Sequence, residues 1–218
     1  DHRRHHKRLD TEDDPYSIKR GFFHAHIGWI VKKNNREIEG VSDLRKKSAI
    51  IFQTKYYWYL ALFLSFVAPL LIGFLFNRPL GGLLWGGVLR VTLVHHFTFF
   101  INSFCHFIGK KNYDINTTAR DSWFMALFTF GEGYHNFHHK FQWDYRNGIK
   151  WYSFDPSKWI INSLSYLKLT HSLRKASDYS IFKAKFDTIN LKIKKILDNK
   201  LASNVLYTKK IKKITNNA

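Results

Sequence analysis

The sequence predicts an all-α membrane protein: a transmembrane helical hairpin flanked by helical segments that bring metal-binding histidines to one face of the bilayer. Three observations carry that prediction. Two long apolar runs lie close together near the middle of the chain. The cationic residues fall almost wholly outside them, and the pattern H-x-x-H-H occurs twice, once on each side of the runs.

The first run, "WYLALFLSFVAPLLIGFLF", covers residues 58–76 without a charge. Its length matches the ~20 apolar residues a helix needs to cross a bilayer. Pro69 and Gly73 lie inside it, as membrane helices tolerate. A polar "NRP" turn at 77–79 leads into a second run, 80–109, interrupted by Arg90, His95, His96, Asn102 and His106. Of 35 Lys and Arg residues, only Arg78 and Arg90 fall between 58 and 109. The positive-inside bias then places residues 1–57 and 110–218 in the cytoplasm and the "NRP" turn outside. Topology thus explains most of the net charge of +19, and the chain carries no recognisable nucleic-acid-binding motif. The single cysteine, Cys105, excludes an internal disulfide and a cysteine-based zinc site. The chain starts at Asp1 inside a motif, and it reads as cut out of something longer.

"DHRRHH" holds His2, His5 and His6; "GEGYHNFHHKF" holds His135, His138 and His139. At i, i+3 and i+4 on a helix, three imidazoles point one way. The hairpin returns the chain to its starting side, so both triplets face the same compartment and can share a site. Neutral imidazole suits iron, zinc, copper and nickel. Six or more histidines exceed the four ligands of a closed zinc site, which makes two ions the economical reading. "NSFCH" adds Asn102 and His106, four apart on one face at the end of the second run, and polar groups inside a span are functional by default. His95 and His96 read as satisfied core histidines. Asp1 and Glu132 adjoin the triplets and can accept the second ring N–H of a bound histidine or serve as caps or solvated charges; Asp10, Asp13 and Asp14 follow the first.

Together, "DHRRHH", "DPY", "RGFFHAHIGW", "NSFCH" and "GEGYHNFHHKFQWDYRNG" resemble the membrane fatty acyl desaturases of the stearoyl-CoA (Δ9) type, over residues 1 to about 176. "HHFTFFINSFCH" and "KWYSFDPSKWII" have the character of the bacterial branch. The resemblance implies a four-helix membrane bundle, of which this hairpin is the second half, and a helical cytosolic cap holding a di-iron (Fe2+) centre. Of that family's nine histidine ligands it implies His2, His5, His6, His106, His135, His138 and His139 here, with Asn102 acting through a water. The family's first histidine box and first two spans have no counterpart, so the fragment is not expected to complete the site alone. Gln142 stands where the family usually has Pro.

The resemblance further implies a cis double bond introduced at the Δ9 position of a saturated acyl-CoA or acyl carrier protein thioester, with O2 and two electrons. The donor is expected to be a separate ferredoxin or cytochrome b5-type protein. Lys19, Arg20, Lys32 and Lys33 are candidates for the carrier's phosphates or ordinary positive-inside charges; His26 and Trp29 are expected to line the substrate entrance or pack the cap. A hydroxylase on the same scaffold, or a catalytically incomplete metal-binding membrane fragment, is the alternative. The expected domains are a cap segment (1–57), two spans (58–109), a second cap segment (110–180) and a basic tail (181–218). The tail has apolar residues at helical spacing, which suits either an anionic membrane surface or packing on the cap.

Overall fold

The computed structural model describes residues 1–31 and 40–215, with side chains through 203. Lys32 and Lys33 therefore lie outside the described residues. The described chain is helical, with two isolated antiparallel bridges, Lys110 to Asp121 and Asp121 to Tyr134. It divides into two compact units, Asp1–Phe107 and Ile108–Ala218.

The first unit begins with the helix His2–Arg8, followed by a loop, a wide helical turn at His24–Gly28 and the helix Ser48–Lys55. Two apolar helices then run from Tyr57 to Leu75 and from Pro79 to Phe107, each long and apolar enough to cross a bilayer. Within the first, residues Phe63–Val67 widen into a π-helical stretch just before Pro69. Proline lacks an N–H and its ring crowds the carbonyl four residues back, here Ser65, so the local ladder opens. The carbonyls of Leu64 and Ser65 accept instead from Arg90 Nη2 at 3.1 and 3.4 Å, while Arg90 Nε donates to Gly86 at 2.6 Å. The arginine within the second apolar helix thus meets the carbonyls of the facing helix. The two helices cross closely at Gly82: a Cβ there would lie 2.3 Å from the Pro69 carbonyl and 2.8 Å from Gly73 Cα. Small residues permit such backbone approach between apolar helices. Large apolar side chains cover the outside of the hairpin, with Leu75 81% and Trp85 72% exposed. So much apolar surface suits a lipid environment better than water.

The second unit carries the helices Trp123–Phe128, His135–Lys140, Pro156–Tyr166 and Asp178–Thr215. Their starts are fixed by local chemistry. Ser122 Oγ accepts from the Met125 N–H; Asp155 accepts from the Lys158 N–H ahead of a helix opening on Pro156. Asp155 also takes the N–H groups of Asn147 and Gly148. Buried Lys158 donates to the carbonyls of Gly148, Lys150 and Ser153, and burial holds its ammonium below its ordinary range. The core gathers Tyr113, Phe137 and Phe141 with Ala176, Ile181 and Ala184. Ile181 and Ala184, with Ala176 just ahead of them, tie the final helix, which starts at Asp178 and runs to Thr215, to the segment bearing the second histidine box.

Candidate metal centre

The first box lies on the helix His2–Arg8, so its three imidazoles share a side as the spacing requires. His2 Nε2 and His6 Nε2 come within 3.1 Å of each other. His5 is 1% exposed, and its ring packs 5.4 Å from that of His106. Its Nδ1 lies 2.8 Å from Asp14 Oδ1, with Asp14 itself 1% exposed. Burial would raise the Asp14 pKa, but the His5 ring and the Tyr16 and Asp10 N–H groups outweigh it and hold the carboxyl below its ordinary range. The Asp14 carboxylate therefore fixes the His5 ring with Nε2 as the remaining donor atom, the arrangement that orients metal-binding histidines generally. Tyr16 packs at a tilt against His5, ring centroids 5.3 Å apart, and Trp29 meets Tyr16 edge-to-face at 4.7 Å. Burial, with Asp14 adding to it, pushes the Tyr16 hydroxyl up to about 12.

The second box lies on the helix His135–Lys140. His135 Nε2 and His139 Nε2 are 3.0 Å apart, and both residues are buried. The helix is held by backbone-directed bonds. Asn136, 0% exposed, accepts through Oδ1 from the N–H groups of Asn112, Tyr113 and Asp114, and donates through Nδ2 to the carbonyls of Asp114 and Ala119. Asp121 accepts from the Phe137 N–H and from Asn112 Nδ2; burial nonetheless pushes its carboxyl up to about 6. The "GEG" ahead of the box is a close-packing device: a Cβ on Gly133 would lie 2.1 Å from the Ala126 nitrogen. Gln142 Nε2 reaches the His139 carbonyl at 3.4 Å.

Each unit thus offers imidazole donors for a metal ion: buried His5 and His106 with the less buried His2 and His6 in the first, and buried His135 and His139 with the less buried His138 in the second. The donor spacing inside each box fits such a role. Two nitrogens each ~2.1 Å from one ion, at right angles, stand about 3.0 Å apart, the separation that each box presents. Asn102 is half-buried at the end of its helix, four residues before His106.

The remaining residues singled out in the sequence fall at various distances from this chemistry. Glu132 accepts from Asn147 Nδ2 at 2.8 Å, and Asp1 is an exposed residue preceding the first helix, with no side-chain capping bond. His26 Nδ1 pairs with Ser103 Oγ and its Nε2 with His96 Nδ1; burial, and then the facing His96, lower its pKa. His95 and His96 are exposed rather than in a protein core. Lys19 donates to the Asp10 carbonyl and Arg20 to that of Glu12, so both brace the loop leading to Asp14.

A fatty acid desaturase family model matches residues 1–168. The chain belongs to the fatty acid desaturase family. It is 43% identical to acyl-CoA desaturase 1 of Saccharomyces cerevisiae over 198 residues, 89% of this chain and 39% of that protein. It is 42% identical to a probable acyl-CoA desaturase of Schizosaccharomyces pombe, over 84% of this chain and 39% of that one. An sn-1 stearoyl-lipid 9-desaturase of Synechocystis is 36% identical, over 79% and 54%. This desaturase chain thus spans about 39% of the length of the two fungal relatives and 54% of the cyanobacterial one. The identities to fungal proteins exceed that to the bacterial one, which corrects the bacterial character read from "HHFTFFINSFCH" and "KWYSFDPSKWII".

Sequence reasoning did not single out Asp14 from among Asp10, Asp13 and Asp14, nor did it notice Asn136 and Asp121. The "DPY" motif held a signal for the first. A carboxylate whose chain turns sharply at Pro15 and receives the Tyr16 N–H is locally fixed. Asn136 gave none, since an amide at an x position of H-x-x-H-H carries no periodicity.

Proposed function

We propose that this chain is the second half of the catalytic framework of an acyl-CoA desaturase, one that introduces a cis Δ9 double bond into a saturated acyl thioester. The single observation that carries the reading is that each of the two H-x-x-H-H boxes sits on a helix with buried imidazoles, in a chain of this family. The names of its yeast relatives supply the acyl-CoA class. In this reading His2, His5, His6, His106, His135, His138 and His139 hold two irons, and Asn102 contributes through a water. An unactivated methylene offers no acid or base handle, so the pair of irons, with O2 and two electrons, supplies the oxidising chemistry.

The chain's own residues do the rest. Neutral imidazoles present nitrogen lone pairs in fixed directions, and Asp14 keeps the His5 Nδ1–H pointed away from the site. Asp1 and Glu132 are proposed to serve the neighbouring histidines in the same way. The aromatic sequence His5, Tyr16, Trp29 keeps the approach to the first box dry, and His26 and Trp29 are assigned to the substrate entrance. Lys19 and Arg20 are exposed basic residues, suited to the phosphates of a CoA or carrier-protein thioester. The hairpin spans a membrane with both termini in the cytoplasm, as its flanking charge supports. An acidic ferredoxin or cytochrome b5-type donor would meet a basic surface there.

The test is expression of the complete reading frame in a host lacking its own desaturase, followed by gas chromatography–mass spectrometry of membrane fatty acids with double bonds located. A new monounsaturated acid that disappears in His138→Ala is the expected result. Hydroxylated acids would instead assign the scaffold to hydroxylation. No new product from an iron-loaded protein supplied with donor and substrate would overturn the catalytic reading.

A further inference from the structure

The final helix has two apolar faces, and the cap uses only one. At about 100° per residue, Ile181, Ala184 and Thr188 fall on one side, where they are buried at 6%, 6% and 3%. Phe182, Phe186, Ile189, Ile193, Ile196 and Leu197 form a second stripe on a different side, and each is at least half exposed. This stripe repeats every three to four residues and extends for about 23 Å along the helix.

Charge is arranged around the stripe rather than scattered. Lys185 and Lys192 border one edge; Lys183 and Lys194 border the other. Lys192 donates to the Lys111 carbonyl and Lys185 lies over the Tyr113 ring, so that edge is anchored to the cap. Asp187 and Asp198, the only acids between 181 and 203, project away from the stripe. An apolar ridge rimmed on both sides by lysines, with acids turned away, complements a surface that is apolar inside and anionic at its rim. An anionic lipid leaflet has that layering, and lysine stems reach from the acyl boundary to phosphates.

We propose that the Phe182–Leu197 stretch lies in the interface of an anionic leaflet, its apolar stripe at the acyl boundary and its flanking lysines at the headgroups. The proposal rests on the reading that the apolar hairpin spans a bilayer, and the experiment separates the two. The full chain is reconstituted in nanodiscs of phosphatidylcholine alone or with phosphatidylserine. Spin labels are placed at Ile193→Cys, Asp198→Cys and, on the hairpin, Leu71→Cys, and their accessibility to oxygen and to a water-soluble nickel chelate is compared. The parent chain, whose Cys105 is wholly buried, is labelled in parallel as background.

At Leu71 the expected result is preferential oxygen access in both lipids. At Ile193 oxygen access should exceed nickel access severalfold with phosphatidylserine, weaken without it, and fall again in Lys183→Glu/Lys194→Glu. Asp198 should stay open to nickel. Nickel access at Ile193 in both lipids would overturn the proposal, as would occlusion from both probes, which would mean a protein covers the stripe. Equal lipid contact in the two lipids would refute the role of the lysine rim. Loss of oxygen access at Leu71 as well would overturn the membrane reading beneath it.

Discussion

The first histidine box is steadied by a side chain and the second by backbone. In the first, the buried Asp14 carboxylate receives the His5 ring directly. In the second, Asn136 and Asp121 collect main-chain groups from residues 112–119 and from Phe137, and the helix is positioned as a whole. Identical spacing thus sits in different supports. Damage to the first support should reach a ligand while sparing the fold, whereas damage to the second should reach the fold first and the ligands through it.

The largest effect is expected from Asn136→Ala. It strands several buried backbone groups at once, and each costs about 1–3 kcal/mol when unsatisfied. We expect a loss of about 3–5 kcal/mol in cap stability, read as lower thermal resistance and faster proteolysis of residues 108–180. Metal content should fall only as the fold is lost. Gly133→Ala should cost about 3 kcal/mol or more, because its Cβ would collide with backbone at Ala126 and not with a flexible side chain. Asp14→Asn should behave differently. Metal affinity should drop about 10–100-fold, measured by competition with a chelator, while the protein still melts near the parent temperature. A variant at Asp14 that unfolds the chain as readily as Asn136→Ala would erase the distinction between the boxes.

A smaller effect concerns acid. Burial would raise the Asp144 pKa, but bonds from Arg146 and from the Ala176 N–H outweigh it and hold the carboxyl below its ordinary range. A depressed carboxyl contributes stability that is fully present above the unfolded value of ~3.9 and is lost as pH falls through the folded value. Thermal scans should therefore show cap stability falling below about pH 4. Asp144→Asn should flatten that decline while lowering stability at neutral pH.

The features that the sequence displays are periodic ones. Uncharged runs of span length and histidines at i, i+3 and i+4 are patterns a single chain can reveal, and the helices Tyr57–Leu75, Pro79–Phe107, His2–Arg8 and His135–Lys140 carry them. The groups around the histidines are not periodic. Asp14 reaches His5 from nine residues away because a loop folds back. Asn136 works through residues 17 to 24 positions earlier. Arg90 looks costly in a span until the carbonyls opened ahead of Pro69 are seen to receive it. The final helix shows the same limit: its helical spacing is visible from Phe182 onward, but only Tyr113 and Phe137 reveal which face is packed.

The central claim, that both boxes together hold a pair of irons, is tested most directly by counting metal. The protein expressed from its complete reading frame, loaded anaerobically with Fe2+ and freed of excess, should carry two irons per chain by plasma mass spectrometry. His5→Ala and His135→Ala, one from each box, should each lower that number while the helical content is kept. A parent that binds no iron, or one whose iron survives the loss of either box, would contradict the account.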